Sequence, residues 1–142
     1  MTFSLPTFLP YLLNQAAEAV SQEFQHTYRE RYGMLRTEWR VLFHLGVYGD
    51  MTAKQICNLS STHKTKISRA VAALEAKRFA TRRTDQNDRR LEHLALTRLG
   101  KRVFDDLHET ARQYEADISA ELSVEELDQL RLVLQKLARS SK

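Results

Sequence analysis

Nine basic side chains, Lys64, Lys66, Arg69, Lys77, Arg78, Arg82, Arg83, Arg89 and Arg90, fall between residues 63 and 90 against three acidic ones, Glu75, Asp85 and Asp88, a local charge of +6. The other residues carry 13 basic and 15 acidic groups, or −2, so this one stretch supplies the whole positive excess of a chain whose net charge is +4. The chemistry open to such a stretch is the binding of a polyanion. Lys64 and Lys66 fall in the first turns of an expected helix, where the macrodipole disfavours cations and Asp or Glu is the stabilising choice. A local rule broken in this way marks a functional site, because phosphates brought to that helix end supply the anion that both the dipole and the lysines lack. Thr62, His63, Thr65, Ser68 and Arg69 complete the polar surface of those turns with donors and acceptors that can reach base edges and backbone oxygens in a major groove. Arg69 suits a bidentate contact to guanine and a phosphate contact equally.

A second cationic element follows. The polar run Asp85-Gln86-Asn87-Asp88-Arg89-Arg90 lies between two short segments, Phe79 to Thr84 and Leu91 to Leu96, that can pair as antiparallel strands. Arg89 and Arg90 then stand on a narrow projection that can enter a minor groove, where negative potential is focused, with Arg82 on the preceding strand. Asp88 is an unusual choice beside DNA. Its expected role is to pair with a neighbouring arginine and hold it in one rotamer before binding. The competing accounts are a solvated helix face for the basic run and a plain turn for the loop.

Other chemistry finds little support. His26, His44, His63, His93 and His108 show no i, i+4 pairing, and the single cysteine, Cys57, has no partner for a metal motif. Cys57 sits beside Ile56, where a small buried apolar role is expected. No glycine-rich phosphate loop, nucleophile elbow or metalloprotease motif occurs, so neither an enzyme nor a cofactor is expected. Trp39, Arg40 and His44 are candidates for lining an effector pocket, although core packing accounts for Trp39 more simply.

The elements that must position these residues can be read from 142 residues that are 42% hydrophobic and 28% charged, the range of one globular domain. With only two prolines, Pro6 and Pro10, and four glycines, the pattern is mostly helical. Leu12, Leu13, Ala16, Val20, Phe24 and Tyr28 trace a long amphipathic helix ending near Gly33. A second helix is expected from the cap candidate Thr37 to Gly46–Asp50, apolar on nearly every side. Thr52 and Gln55 have capping-box spacing and open a third helix carrying Ala53, Ile56 and Leu59 inward. Ser60-Ser61-Thr62 breaks it, and Ile67, Val71 and Leu74 restore the stripe, which is the outline of a helix-turn-helix.

From Thr97, Phe104, Leu107, Ala111, Tyr114 and Ile118 step in heptad rhythm. Ser123 and Glu126 cap a last helix bearing Leu127, Leu130, Leu134 and Leu137. The reading is a mainly α chain with a small β-wing, a winged helix-turn-helix core flanked by long N- and C-terminal dimerisation helices. Its boundaries are 1–36 for the N-terminal dimerisation helix, 37–98 for the DNA-binding lobe and 99–142 for the C-terminal dimerisation helices. The terminal stripes need burial, which points to a homodimer. No export signal or membrane-spanning run is seen, and cytoplasmic placement is expected. The rival class is a helical protein–protein adaptor using the basic lobe on an acidic partner.

Between Thr37 and Gly100 the chain resembles the MarR family of winged helix-turn-helix regulators. The resemblance rests on Thr37-Glu38-Trp39-Arg40-Val41-Leu42, on Lys66-Ile67-Ser68-Arg69 with Leu74-Glu75, and on Asp88-Arg89-Arg90 followed by Leu96-Thr97-x-x-Gly100. It implies a dimer on a pseudo-palindromic double-stranded DNA operator, one recognition helix per major groove and one wing per minor groove. It further implies that Asp88 orients Arg90. It also implies regulation, usually repression, relieved by a small aromatic or phenolic effector bound between the dimer helices and the DNA-binding lobe. The chain departs at Arg78, where the family usually has Gly, so Arg78 must accept a left-handed backbone or the helix must end differently. The first helix also lacks the cysteine of the family's peroxide-sensing branch.

Overall fold

The computed structural model describes residues 2–140; Met1, Ser141 and Lys142, at the ends of the expected terminal segments, lie outside the described residues. After a 3-10 turn at Leu5–Thr7, α1 runs over Leu9–Tyr32. Pro10 sits in its first turn, where the missing N–H costs nothing, and Gly33 closes it at φ 63°, donating to the Arg29 carbonyl. Helix α2 (Arg36–Tyr48) starts one residue before Thr37, with Leu35 as its N-cap and no side-chain cap bond. Thr37 is therefore inside the helix, and the first turn is held instead by the buried carboxylate of Glu38, whose Oε1 accepts from Lys77 Nζ at 3.0 Å.

Helix α3 (Ala53–Ser60) opens with the expected capping box: Thr52 N–H donates to Gln55 Oε1 at 2.9 Å, and Gln55 N–H to Thr52 Oγ1 at 3.2 Å. Ile56 points inward, but Leu59 is 58% exposed, because the helix is only two turns long and Leu59 falls off its buried face. Cys57 is half-buried rather than fully buried. Ser61, at φ 51°, turns the chain into α4 (Lys64–Ala76). The hairpin is β2 (Ala80–Thr84) and β3 (Glu92–Leu96), paired antiparallel with Arg82 opposite Leu94 and Arg83 opposite His93. A two-residue strand, β1 (Met51–Thr52), adds to the far side of β3, so the sheet order is β1-β3-β2. Two residues are too few to show a period, which is why this strand was not legible beforehand.

Helix α5 covers Arg98–Ser119 and α6 covers Val124–Ser140. The chain divides into two compact units, one ending at Glu109 and the other beginning at Thr110. In the first, Leu42, Ile56, Ile67, Leu74, Leu94 and Leu107 are completely or almost completely buried and form one core beneath α4 and the sheet. Phe104 packs edge-on against Phe43 at 5.1 Å and closes over Gly46, where no Cβ fits. At the end of α1, Asp106 Oδ2 accepts from Tyr32 Oη at 2.5 Å and from Arg31 at 3.1 Å. Burial and then the Asp106 bond push the Tyr32 phenol up to about 12. In the second unit, Ser123 and Glu126 form the reciprocal cap of α6, at 3.0 and 3.1 Å. No described side chain of α6 is buried. Among the described residues no helix is long and apolar enough to cross a membrane.

Candidate nucleic-acid interface

Helix α4 is held from behind and polar in front. Ile67, Ala70, Val71 and Leu74 are buried, whereas Lys64, Thr65, Lys66, Ser68 and Arg69 are exposed on its first two turns. His63 is the N-cap: its Nδ1 accepts from Thr65 N–H at 3.2 Å, so this ring's proton is on Nε2. Thr62 is half-buried and donates to the Ser60 carbonyl at 3.2 Å. The first turn contains no acidic residue, so the helix dipole and two lysines present positive charge to the same space. That arrangement can accept phosphate oxygens, with the exposed side chains one turn on free in reach to meet base edges.

The hairpin tip is ordered by its acids. Asp85 Oδ1 accepts from the N–H groups of Asn87 and Asp88 at 2.7 and 3.0 Å. Asp88 Oδ1 accepts from Arg90 N–H at 3.0 Å and from its Nε at 3.2 Å, with Nη2 3.4 Å from Oδ2. Arg90 is thus tied at its base while its side chain remains 90% exposed. Arg89 is exposed beside it. Arg82 is held differently, by Glu75 of α4 at 2.7–2.8 Å and by Glu92 of β3 at 3.0 Å. The bond to Glu75 and then that to Glu92 raise its pKa further, so it is a fixed cation bracing the hairpin against α4.

A family model described as the MarR family matches residues 32–91, the segment that contains α2 to the hairpin tip. The chain is 25% identical over 126 residues to the HTH-type transcriptional regulator YwaE of Bacillus subtilis, covering 89% of this chain and 74% of that protein. It is 26% identical to the MarR family regulator SPO1453 of Silicibacter pomeroyi, with a TM-score of 0.84 over 99% of this chain and 100% of the other. Over residues 32–91 the chain matches the MarR family. The MarR fold extends to the MepR protein of Staphylococcus aureus in its DNA complex, TM-score 0.86 at 20% identity over 95% and 99% of the two chains. The family match and the relatives together make the chain a DNA-binding transcriptional regulator rather than an enzyme or an adaptor.

Against the usual MarR pattern, Arg78 takes the left-handed conformation itself, at φ 66°. Its carbonyl accepts from Thr97 Oγ1 at 2.6 Å, and Thr97 Oγ1 in turn accepts from Gly100 N–H at 2.9 Å, so the turn after α4 is locked to the start of α5. Of the effector candidates, Trp39 lies in an aromatic cluster, 5.3 Å from Phe24 and 5.1 Å from Phe43 between ring centres. Arg40 is exposed, and His44 donates from Nδ1 to its carbonyl at 2.6 Å. Sequence reasoning gave no role to Glu75, Glu92 or His93 and none to Asp85 beyond its place in the loop; in the structure Glu75 and Glu92 hold Arg82, and Asp85 holds the hairpin tip and bonds His93. The available signal was cross-strand: once β2 and β3 are paired, Arg82 and Glu92 fall on one face as diagonal neighbours.

Proposed function

We propose that this MarR-family chain is a ligand-responsive repressor that binds a pseudo-palindromic operator as a homodimer in the cytoplasm. The observation that carries the reading is the concentration of exposed cation on two neighbouring elements, the acid-free start of α4 and the Asp88-held Arg90 of the hairpin. Thr62, His63, Lys64, Thr65, Lys66, Ser68 and Arg69 meet the major groove, and Arg89 and Arg90, set by Asp88 and braced by Arg82, meet the minor groove. Residues 37–98 form the DNA-binding lobe, with 1–36 and 99–142 supplying dimerisation. The effector is an aromatic acid or phenol, the class the family resemblance implies, with Trp39, Arg40 and His44 in its pocket. The test is a gel shift with the promoter fragment next to the chain's own gene, titrated with salt. Retardation whose log affinity falls steeply with log salt is expected, with half-sites centred about 10–10.5 base pairs apart or a multiple of that. Retardation that ignores salt defeats the reading, and release by none of a panel of aromatic acids defeats the effector part.

A further inference from the structure

The hairpin tip depends on a contact that reaches back into the sheet. Asp85, the residue after β2, uses one carboxylate oxygen for the N–H groups of Asn87 and Asp88, and its other oxygen lies 2.8 Å from Nε2 of His93 in β3. Its own N–H donates to the Leu91 carbonyl at 2.9 Å, and Leu91 N–H donates to the Asp88 carbonyl at 3.0 Å. Bonds to an ionised carboxylate are the strong kind. The His93 bond, followed by the Asn87 and Asp88 N–H groups, holds the Asp85 carboxyl below its ordinary value of 3.8, so it is the acceptor and His93 Nε2 the donor. His93 faces Thr52 of β1 and Arg83 of β2, and Arg83 is 3.7 Å from Asp50.

We propose that His93 and Asp85 are positioning residues for DNA binding: His93 anchors Asp85, Asp85 holds the Asn87–Asp88 turn, and that turn sets Asp88 so that Arg90 reaches the minor groove already in one conformation. The proposal rests on the regulator reading above. Its physical basis is entropic: an exposed arginine has many rotamers to lose, and ordering it before binding reduces what is lost on the DNA. No part of the chain from His93 to the Arg90 guanidinium is made by a group that itself has to touch nucleic acid.

The probe is a duplex selected from random-sequence DNA by the wild-type protein, with affinities read by fluorescence anisotropy. His93→Leu is expected to weaken binding about threefold to tenfold, the worth of one hydrogen bond. His93→Gln, whose amide can donate to the same carboxylate, should return affinity to within about twofold of wild type. In an Arg90→Ala background His93→Leu should cost nothing further, because its effect passes through that arginine. Full affinity in His93→Leu overturns the proposal, as does an equal loss with and without Arg90, which is what general loosening of the fold would give. If no duplex is recovered by the wild-type protein, the regulator reading itself fails; a duplex bound regardless of His93 defeats only the positioning roles.

Discussion

Arg90 and Lys66 stand exposed on different elements, and the contributions proposed for them in DNA binding can be tested one at a time by salt titration. Each is exposed, and the Asp88–Arg90 pair is a surface ion pair, worth about 0–1 kcal/mol to the fold. Arg90→Ala and Lys66→Ala should therefore weaken DNA binding and each reduce the salt slope by about one, while the melting temperature and oligomeric state stay as they are. An unchanged slope in either variant removes that residue from the interface. Asp85 makes a pH prediction of definite sign. Its folded pKa is depressed, so its ordering of the wing is fully present above the ordinary value of 3.8 and is lost as pH falls through the lower folded value. An NMR titration should show the Asp85 carboxyl and the Asn87 and Asp88 amides moving together below 3.8. Titration of Asp85 at or above its ordinary value would contradict the bonding described. The contrast between these residues shows what can be read from sequence. Lys64, Lys66 and Arg90 stand out because charge in the wrong place is visible in a linear chain. The partner of Asp85 is eight residues away, across a strand pairing whose register had first to be known.

At the scale of elements, the turn joining α4 to β2 is where backbone constraints concentrate. Arg78 occupies a left-handed conformation at φ 66° that costs a side-chain-bearing residue roughly 1–2 kcal/mol. Arg78→Gly removes that cost while adding the extra chain entropy of glycine, about 0.5–1 kcal/mol, so a net stabilisation of several tenths of a kcal/mol is expected in urea denaturation. Gly100 is the opposite case, since a Cβ there would run into the carbonyl of Phe79, which is backbone and cannot rotate away. Gly100→Ala should destabilise by about 2 kcal/mol or more, and an Ala variant as stable as wild type would mean that α5 can shift at no cost. Arg78 was legible as an anomaly because the family resemblance leads one to look for Gly. The reason for Gly100 was not, because Phe79 is distant in sequence. The same division runs through the fold. The capping boxes at Thr52 and Ser123 and the Gly33 stop are short-range chemistry and were readable, whereas the Glu38–Lys77 pair joins residues 39 positions apart and became visible only once α2 and α4 were packed.

For the whole molecule, the unresolved demand is apolar surface. In the first unit Leu9, Leu12 and Leu13 on α1 are 60, 41 and 39% exposed, and in the second Leu130 and Leu134 on α6 are 45 and 41% exposed. Leucines at such helical spacing on a single chain in water are the sign of an interface. A second copy of the chain can bury them, each burial contributing up to about 1.5–3 kcal/mol per leucine, and a two-fold axis counts every one twice. Joining two recognition helices also makes the second half-site contact intramolecular, which raises affinity for a palindromic site by roughly 10²–10⁴ over one lobe alone. Replacing Leu130 and Leu134 together by Glu should therefore give a folded monomer by sedimentation equilibrium, with helical circular dichroism retained because both positions are already exposed. Its affinity for a full selected duplex should fall towards that for a half-site, whereas Arg90→Ala, dimeric but weakened, should still prefer the full site. A double variant that remains dimeric places the interface elsewhere than on α6, and a monomer that binds the full site as tightly as wild type would sever reading of the operator from assembly.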